Sequence, residues 1–499
     1  MEYRRKLTKD EVLLLSKDLV MVMGLFEKAG KEIYLVGAGV RNILMGKTPV
    51  NCDLTTNATP EETLGICSGF DPFYENDFGM VGVPIGDEVF EITTYRTEKG
   101  YSDFRRPDEV IWGKSLADDV VRRDFTMNAV VIGKTKGEYE VIDLVGGIAD
   151  FDNNLIRSVG IATERFTEDP LRMMRAVRFA ATLQFTIESE TFGAIISKAP
   201  LLEKISRERI RDEFLKTLAS KFPADGVRVF LNTGLMSTIL PELETLRAVG
   251  QNGHHTLDVL EHSLGALENC PSSNPIVRLA TLIHDIGKPK AKRNRCRGCR
   301  KFLKYPKVED GSVVCEYCHL SQPERETITF YGHEVVGEKM AIEICNNLRL
   351  TNKEREKIAK LVRWHMFSYQ KEMTDASIRR LIKNVGKENI NDLMLLRIGD
   401  RVGGGSKTTS WRLMELQKRI GEQLFEPMEI RDMEVNGKDV MEILGVTPGP
   451  IIGKILGLLF EEVIEDTARN KRDYLLGRIK ELANDTSRNN QTNPNRDEQ

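Results

Sequence analysis

Two patterns of hydrophobic and polar positions divide this chain. Between about residues 31 and 160, short apolar runs such as EIYLVGAG, EVFEITTY and AVVIG alternate with turn signals, which is typical of a domain that contains a sheet. After residue 161, segments such as LRMMRAVRFAATLQF repeat their apolar positions at helical spacing, and this continues to about residue 480. The pattern predicts an α+β chain in which a small mixed sheet is followed by mostly helical domains.

Changes in this pattern also predict where the domains begin and end. Residues 1–30 carry charges scattered among apolar positions and no small-residue cleavage site, which indicates an amphipathic helix rather than a signal peptide. The polar run 485–499 has no apolar anchors and is predicted to be disordered. The domains between them are predicted to be a head (31–160), a helical neck (161–245), a helical body (246–405) with an insertion at about 290–325, and a helical tail (406–484).

The composition narrows the class of protein. Hydrophobic residues make up 40% of the chain and charged residues 29%, and no apolar run approaches the roughly 18 residues that span a bilayer. We therefore expect a cytoplasmic protein without a membrane partner. The net charge of -3 argues against wholesale coating of nucleic acid. However, nine of the seventeen residues from Lys288 to Lys304 are Lys or Arg, which favours a solvated loop and a phosphate-binding patch about equally.

The eight cysteines predict a metal site rather than disulfides, because the cytoplasm keeps thiols reduced. Four of them form two C-x2-C pairs separated by fifteen residues, which is the spacing of a structural Zn²⁺ site of the zinc-ribbon type. These four are Cys296, Cys299, Cys315 and Cys318. The others, Cys52, Cys67, Cys270 and Cys345, are scattered and predicted to be small core residues.

Residues 34–62 carry a pattern suited to phosphoryl transfer. A predicted strand runs into Gly37 and Gly39, whose backbone amides can approach a triphosphate. A helix that contains Arg41 follows, and a second strand is predicted to present Asn51 and Asp53 on one face, since residues two apart in a strand point the same way. Two adjacent oxygen ligands are what Mg²⁺ requires for in-line phosphoryl transfer.

This segment resembles the head of the class II tRNA nucleotidyltransferases, the family of CCA-adding enzymes and bacterial poly(A) polymerases. Their pattern is G-G-x-V-R-D, then L-x-G, then D-x-D followed by Thr. Further similar motifs follow in order: EITTYRTEKGYSDFRRPDEV (91–110), RRDFTMNAV (122–130), RFTEDPLRMMRAVRFA (165–180) and RERIRDEFLK (207–216). Because five motifs occur in the family's order, a chance similarity is very improbable. The resemblance implies a polymerase-β-like head that adds CCA, or its terminal A, to tRNA from CTP and ATP.

The resemblance also implies roles for individual residues. Asp53 and Asn51 would hold Mg²⁺, and Glu91 at the end of a strand would supply a third metal-facing carboxylate. Asp169 and Arg172, three apart on a predicted helix, can offer donors and acceptors to a base edge and so select CTP or ATP without a template. The other nucleotide contacts implied are Gly37, Ala38, Gly39, Arg41, Arg122, Arg123, Asp124, Asn128, Arg175 and Arg178.

Three positions depart from the family pattern. Ala38 replaces the second glycine, Asn42 replaces the Asp after Arg41, and Asn51 replaces the first metal aspartate. An amide oxygen can bind Mg²⁺ but brings no negative charge and does not bridge two ions, so transfer activity is expected to be low or absent. The loop motif Glu98–Pro107 resembles that of enzymes that add the terminal A. A poly(A) polymerase and a head that only binds RNA remain as alternatives.

A second ordered set of residues lies in the body, since all seven histidines follow residue 253. The order H…HD…D resembles the HD phosphohydrolase superfamily. Its core ligands would be His262, His284, Asp285 and Asp400, with His333 and His365 as additional ligands. Imidazole and carboxylate ligands suit manganese, nickel, cobalt or iron as well as magnesium, and the implied reaction is metal-assisted hydrolysis of a phosphoester on RNA ends. His254 and His255 have no predicted role, and His319 is not expected to bind zinc.

Overall fold

The computed structural model describes residues 2–76, 79–99, 109–113, 115–247, 249, 258–304, 306–407 and 410–491. The predicted loop motif at 100–107 and the histidines at 254 and 255 therefore lie outside the described residues. The chain divides into two units, residues 1–245 with the short stretch 347–349, and the remaining residues from 246. None of the described helices combines the length and the apolar character that crossing a bilayer would require.

The first unit is built on a mixed sheet of eight strands. The described part of this unit has twelve strands: β1 (Tyr3–Lys6), β2 (Ile33–Val36), β3 (Asp53–Thr56), β4 (Phe73–Asn76), β5 (Met80–Ile85), β6 (Glu88–Thr94), β7 (Arg96–Lys99), β8 (Glu109–Trp112), β9 (Val131–Thr135), β10 (Glu138–Asp143), β11 (Leu155–Ile156) and β12 (Thr186–Ile187). Eight of these strands form the sheet, in the order β1-β10-β9-β2-β3-β6-β5-β4, and within its described residues β3 and β6 are the one parallel pair. Strands β7 and β8 pair with each other in antiparallel orientation, and β11 pairs with β12 in parallel orientation. This mixed sheet, followed by helical domains, confirms the predicted α+β class.

Twelve α-helices accompany this sheet and continue beyond it in the described part of the first unit. They are α1 (Lys9–Leu13), α2 (Lys17–Lys28), α3 (Ala38–Leu44), α4 (Pro60–Ile66), α5 (Leu116–Val121), α6 (Gly147–Asp152), α7 (Ala162–Glu168), α8 (Leu171–Leu183), α9 (Ser189–Lys198), α10 (Arg207–Leu218), α11 (Pro223–Asn232) and α12 (Met236–Ile239). Helix α2 shows how the core forms: Leu19, Val22, Met23 and Phe26 recur at helical spacing and are all buried against the sheet.

The N-terminal segment corrects the prediction of a single helix over residues 1–30. Tyr3–Lys6 pairs with β10 as the edge strand β1, and two helices follow instead of one. Thr8 begins α1 with a reciprocal capping interaction with Glu11, and the Ser16 hydroxyl accepts a hydrogen bond from the Leu19 amide at the start of α2. These capping residues interrupt the helical pattern, because each favours extended backbone at its own position.

The second unit is mostly helical. Its helices are α13 (Val259–Glu268), α14 (Pro275–Leu282), α15 (Lys288–Ala291), α16 (Glu324–Thr327), α17 (His333–Asn347), α18 (Asn352–Trp364), α19 (Asp375–Val385), α20 (Ile390–Gly403), α21 (Trp411–Gln423), α22 (Gly437–Leu444), α23 (Pro450–Glu465) and α24 (Arg472–Gln491). Its short strands are β13 (Arg293–Asn294), β14 (Val308–Glu309), β15 (Ser312–Val314), β16 (Ser321–Pro323) and β17 (Ile328–Thr329). Helix α24 continues to Gln491, so the predicted disorder from residue 485 is wrong for the backbone of 485–491. Leu475 and Ile479 anchor the start of this helix in the core, and its hydrogen-bonded turns continue from there.

Close packing of helices α13 and α20 prepares the site in this unit. Gly399 and Gly403 on α20 face the α13 backbone. A methyl group at Gly399 would lie 2.6 Å from the Ala266 carbonyl oxygen, and one at Gly403 would lie 2.4 Å from the Ala266 amide nitrogen. Only glycine permits this approach. The contact brings the carboxylate of Asp400 within reach of His262, which lies on the neighbouring helix.

Candidate functional site

The turn between β2 and α3 brings backbone against a carboxylate. Gly37 directly follows β2 and has φ +65°, a conformation that favours glycine. A methyl group at this position would lie 3.4 Å from Asp53 Oδ2. Gly39 packs against Leu35, whose Cδ1 would lie 2.8 Å from such a methyl group. The two glycines therefore hold the first turn of α3, which begins at Ala38, close to β2 and to the start of β3.

Asp53, the first residue of β3, lies side by side with Glu91, which is in the middle of β6 and not at the end of a strand as predicted. They are direct partners in the parallel pairing of β3 and β6, so both side chains project from the same face about 5 Å apart along the hydrogen-bonding direction. Both are exposed. Although Asp53 is exposed on one side, the protein packed against its other side displaces part of the water around its carboxyl group and raises its pKa, while nearby Arg123 and Arg41 lower this pKa less. Two adjacent acidic groups of this kind form a suitable site for a hard cation.

Asn51 does not lie in the strand, contrary to the prediction that it shares a strand face with Asp53. Strand β3 begins at Asp53, and Asn51 lies in the preceding bend with φ +56° and an exposed side chain. Asn and Asp tolerate this left-handed conformation better than other residues with side chains. The rule that residues two apart in a strand point the same way therefore does not apply to Asn51, and it does not fix where the Asn51 side-chain amide points.

Arg122 and Arg123 are held by a carboxylate that the sequence analysis missed. Asp119 on α5 is fully buried; it accepts a hydrogen bond from Arg122 Nε at 2.9 Å and one from Arg123 Nη2 at 2.7 Å. Burial alone would raise the pKa of Asp119, but the two guanidinium groups lower it below its ordinary value. Arg122 and Arg123 follow Asp119 by three and four residues, just past the end of α5, and this spacing was the available signal.

Asp124 is the centre of a second network rather than an open ribose acceptor. Its Oδ2 accepts from Arg175 Nε at 2.8 Å and Nη2 at 2.7 Å, and its Oδ1 accepts from Asn128 Nδ2 at 2.9 Å. Although burial acts in the opposite direction, Arg175 and Asn128 lower the pKa of Asp124 to about 2. Arg41 donates in turn to Asn128 Oδ1, and burial lowers the pKa of Arg41 to about 10. The predicted nucleotide residues are thus joined to one another.

A buried aromatic ring gathers three of these cations. The guanidinium carbons of Arg41, Arg175 and Arg178 lie 5.1, 5.6 and 4.4 Å from the centroid of Phe179, which is within the range of cation–π attraction. Arg178 Nε also donates to the buried Glu213 at 2.7 Å. Neither Phe179 nor Glu213 was a candidate in the sequence analysis, because an aromatic residue on an amphipathic helix resembles ordinary core.

Asp169 and Arg172 do not share a helix, contrary to the prediction. Asp169 lies between α7 and α8 in extended conformation, and its carboxylate accepts from the Leu171 amide at 3.1 Å and from Arg209 at 3.0 Å. Arg172 in α8 donates to Glu168 at 2.6 Å. Proline at position 170 explains the break, since it disfavours helical backbone at the residue before it. The two side chains are each held by another ion pair.

We predict that Asp119→Asn weakens both folding and triphosphate binding. The change leaves two partly buried guanidinium groups facing a neutral amide, which should lower the free energy of unfolding by about 3 kcal/mol and raise the KM for nucleotide about tenfold. Denaturant unfolding and nucleotide titration measure the two effects. The control is Asp118→Asn, whose carboxylate is bound to Ser115 instead. Equal losses in both variants would contradict the assigned role.

In the second unit, six predicted metal ligands converge from five places in the chain. His262 lies on α13, His284 and Asp285 in the turn after α14, His333 at the start of α17, His365 just after α18, and Asp400 on α20. His262 Nε2 is 3.1 Å from Asp400 Oδ1 and 3.3 Å from His284 Nε2. His333 and His365 approach each other with 3.3 Å between their Nε2 atoms. We call these six residues the metal cluster.

Asp285 lies between the two halves of the metal cluster. Its Oδ2 is 3.2 Å from His284 Nε2 and 3.5 Å from His262 Nε2, whereas its Oδ1 is 3.2 Å from His333 Nε2 and 3.6 Å from His365 Nε2. Two groups with metal-binding geometry therefore share this carboxylate: His262 with His284, and His333 with His365. A carboxylate shared in this way can bridge two ions.

Backbone carbonyl groups orient three of the imidazole rings. His284 Nδ1 is 2.7 Å from the Thr281 carbonyl oxygen, His333 Nδ1 is 2.8 Å from that of Phe330, and His365 Nδ1 is 2.7 Å from that of Val362. A ring that donates from Nδ1 keeps the lone pair of Nε2 available, which is how metal-binding histidines are usually held. The Nε2 atoms of all three rings point into the metal cluster.

Cations line the cavity beside the metal cluster. The cavity has a volume of about 690 Å³ and includes Lys288, Arg397 and Arg401 in its wall. Lys288 Nζ lies 2.6 Å from Asp285 Oδ2, and Arg397 Nη1 lies 2.5 Å from Asp400 Oδ2. Burial opposes the effect, but the neighbouring cations and histidines lower the pKa of both carboxyl groups well below the ordinary value. Positive charge at the cavity wall favours an anionic ligand.

The predicted zinc ligands form a separate cluster. Cys296 Sγ is 3.5 Å from Cys318 Sγ, and Cys299 Sγ is 3.6 Å from Cys315 Sγ; all four sulfur atoms lie within 4.8 Å of one another. A backbone hydrogen bond at Cys299 helps to lower the pKa of Cys296 to about 6. His319 is not part of this cluster. We call residues 293–329, which include strands β13–β17, the four-cysteine lobe. The other four cysteines are buried or nearly so, as predicted.

We predict that Cys315→Ser removes bound metal from the four-cysteine lobe and loosens it. Three sulfur ligands bind Zn²⁺ far less tightly than four, and so small a lobe depends on its metal for folding. Metal analysis should show the loss of one zinc per chain, and limited proteolysis should show cleavage within residues 293–329. The matched control is Cys345→Ser, a buried thiol outside the cluster. Unchanged zinc content in Cys315→Ser would refute the site.

Taken together, the mixed sheet with Asp53 and Glu91 and the linked arginine network define a nucleotidyltransferase-type head followed by helical domains. Residues 33–157 match the poly A polymerase head domain, and residues 184–246 match a family described as a probable RNA and SrmB binding site of polymerase A. Residues 324–479 match tRNA nucleotidyltransferase domain 2.

Individual relatives identify the family. The CCA-adding enzyme of Lactobacillus delbrueckii subsp. bulgaricus is 44% identical over 215 residues, 43% of this chain and 53% of that enzyme, so the chain matches about half the length of this relative. The CCA-adding enzyme of Enterococcus faecalis is 30% identical over 469 residues, 92% of this chain and 94% of that enzyme. The chain therefore belongs to the CCA-adding enzyme family. The fold agrees with the crystal structure of Bacillus stearothermophilus CCA-adding enzyme in complex with CTP, with a TM-score of 0.68 at 23% identity over 97% of this chain and 100% of that one.

Proposed function

We propose that this chain adds CCA, or its terminal A, to the 3′ end of tRNA from CTP and ATP by metal-dependent phosphoryl transfer. The pairing of Asp53 with Glu91 on adjacent parallel strands is the observation that carries this proposal. It brings two acidic side chains together beside the glycine turn, where a nucleotide triphosphate can approach backbone amides. Membership of the CCA-adding enzyme family supports the same reaction and the same substrates.

The chemistry of the donors fits Mg²⁺. Carboxylate and amide oxygens are its preferred protein ligands, and the space beside Asp53 Oδ2 exists because Gly37 has no side chain. We assign Asp53 and Glu91 as the main ligands, with the Asn51 amide oxygen as a neutral third. When bound, Mg²⁺ would neutralise charge on the triphosphate and orient its α-phosphate for in-line attack.

The arginine networks provide the nucleotide contacts in this proposal. Arg122 and Arg123, held by Asp119, offer guanidinium groups to the phosphates. Asp124 and Asn128 hold Arg175 and Arg41 by hydrogen bonds, and these two arginines contact the nucleotide. Asp169 and Arg172 contact the base edge after exchanging their present ion-pair partners, so base selection depends on Arg209 and Glu168 as well.

The assay is incorporation of labelled CTP and ATP into tRNA that lacks its CCA end. Addition of three nucleotides or fewer supports CCA addition or A addition, and omission of CTP separates these two. Long tails of A would instead identify a poly(A) polymerase. No incorporation with any nucleotide would mean that the head only binds RNA, which is the consequence expected if the neutral Asn51 disables metal-dependent chemistry.

We propose a second activity for the metal cluster, metal-dependent hydrolysis of phosphoesters at RNA ends. The observation that favours it is Asp285, whose two oxygens face different pairs of histidines. The cluster fits two divalent ions: His262, His284, Asp285 and Asp400 suit one, and Asp285, His333 and His365 suit the other. Bound ions would activate water and polarise the phosphoester. Lys288, Arg397 and Arg401 would bind the phosphate oxygens.

Hydrolysis is measured on oligonucleotides ending in a 3′-phosphate or a 2′,3′-cyclic phosphate, after loading with manganese, nickel, cobalt, iron or magnesium. Release of phosphate or opening of the cyclic ester with at least one metal, and its loss after chelation, supports the activity. Absence of hydrolysis with metal fully bound would refute it. Because the assay requires no added nucleotide, it is independent of transfer by the head.

A further inference from the structure

A group of aromatic and cationic side chains lies around Tyr331, a residue in the wall of the metal-cluster cavity. The Arg295 guanidinium carbon lies 5.8 Å from the centroid of Phe302 and 5.6 Å from that of Tyr331. The two rings meet edge to face with 6.3 Å between centroids. We call these three residues the stacking platform.

The stacking platform is held in place by the four-cysteine lobe. Arg295 Nε donates to the Arg300 carbonyl oxygen at 2.8 Å, and its Nη1 donates to the Tyr331 hydroxyl at 3.0 Å. The Arg295 amide donates to the Thr327 carbonyl oxygen at 2.8 Å, and Arg295 pairs with Phe302 in an isolated antiparallel bridge. The guanidinium and the rings are therefore oriented before any ligand binds, which lowers the entropy cost of binding.

The platform remains largely open to solvent. Tyr331 is 66% exposed and Phe302 is 49% exposed, so these rings add little to the core. Exposed rings beside a guanidinium group present flat surfaces on which nucleobases stack. The adjoining chain is basic, since Arg293, Arg297, Lys301 and Lys304 all lie exposed in the same lobe. Basic surface around exposed aromatic rings is complementary to single-stranded nucleic acid.

Tyr331 also connects the platform to the metal cluster. It lines the 690 Å³ cavity together with His333, Asp285 and Asp400, and it lies two residues before His333. Lys288, which contacts Asp285, lies 5.6 Å from the ring centroid of the neighbouring Phe330. A chain whose phosphate enters the cavity therefore carries its base toward Tyr331.

We propose that the stacking platform binds the terminal base of single-stranded RNA and so directs the adjoining phosphoester to the metal cluster. This deepens the proposed hydrolase function and rests on it: the platform defines the substrate as an unpaired, base-bearing RNA end rather than a small phosphate ester. It also assigns a role to Arg295 of the basic segment Lys288–Lys304. In this proposal the planar guanidinium group of Arg295 and the aromatic rings of Tyr331 and Phe302 are the surfaces on which the terminal base stacks.

The first test is photo-crosslinking of the full chain to a short oligonucleotide with a 4-thiouridine at its 3′ end and a terminal 3′-phosphate. Mass spectrometry should locate crosslinks in the peptides that contain Tyr331 or Phe302, and Tyr331→Ala or Phe302→Ala should reduce them about tenfold. Trp411→Ala, a change at an exposed ring outside the four-cysteine lobe, is the matched control. Tyr331→Phe should retain crosslinking, since the ring face is kept.

The second test compares hydrolysis of that end with hydrolysis of the same oligonucleotide ending in an abasic residue. The preference for the base-bearing end should fall about tenfold in Tyr331→Ala, mainly through KM, with metal content unchanged. Crosslinks without hydrolysis would support the platform and refute the proposed hydrolase. Hydrolysis without crosslinks at Tyr331 or Phe302, or with equal rates for both ends, would overturn the platform and leave the hydrolase standing.

Discussion

Asn51→Asp is expected to increase nucleotide incorporation into tRNA lacking its CCA end about a hundredfold in the presence of Mg²⁺. In the parent chain, Asp53 and Glu91 supply two negative charges beside the glycine turn, and Asn51 supplies none. A carboxylate at position 51 adds the charge that a second ion and the transition state require. The effect should appear mainly in kcat, because the arginine networks that bind nucleotide are unchanged.

The backbone permits this test without a change of fold. Asn51 has φ +56° in an exposed bend, and Asp tolerates this conformation almost as well as Asn. The control is Asn42→Asp, which restores another family carboxylate on α3 outside the proposed metal ligands. Thermal unfolding should differ little among the three proteins.

Three results of this experiment lead to different conclusions. Extension only by Asn51→Asp would show that the parent head is a disabled transferase. Extension by neither protein would show that the head acts as a binding module. Equal extension by both would contradict the prediction, because it would mean that a neutral ligand at position 51 is sufficient.

The metal cluster shows how much of a site can be predicted from sequence order. Its six members are spread from His262 to Asp400, and all six converge in the structure. The order of residue types in the chain was sufficient for membership. The order of residue types did not predict what each member does. The position of Asp285 between the two pairs of histidines depends on the turn after α14. The orientation of the imidazole rings depends on backbone carbonyl groups such as that of Thr281. Such partners have no side-chain signature.

In the head, the errors arose where local geometry overrides a regular pattern. Asn51 and Asp53 would share a face only if β3 extended through both, and a positive φ ends that regularity. Asp169 and Arg172 are three residues apart, but Pro170 breaks the helix between them. Asp119 was missed because a charged residue on a short helix is usually solvated. Its burial follows from tertiary packing that no local pattern reports.

Asp285→Asn is expected to abolish metal binding by both halves of the metal cluster and to reduce phosphoester hydrolysis at least about a hundredfold. The carboxylate faces four imidazole groups, two through each oxygen. An amide cannot supply negative oxygens to two ions at once. His365→Ala, by contrast, removes a ligand from one half only, so it should lower the metal content of the cluster by about one ion.

Metal analysis distinguishes this prediction from a general loss of structure. Zinc in the four-cysteine lobe should remain in Asp285→Asn, because its four ligands are separate from the metal cluster. The matched control is Asp392→Asn on the same helix as Asp400, where the carboxylate pairs with Lys357 at 2.5 Å; it should keep full metal content and hydrolysis. If Asp285→Asn retained one tightly bound ion with His333 and His365 intact, the carboxylate would serve a single metal, and the two halves would not share it.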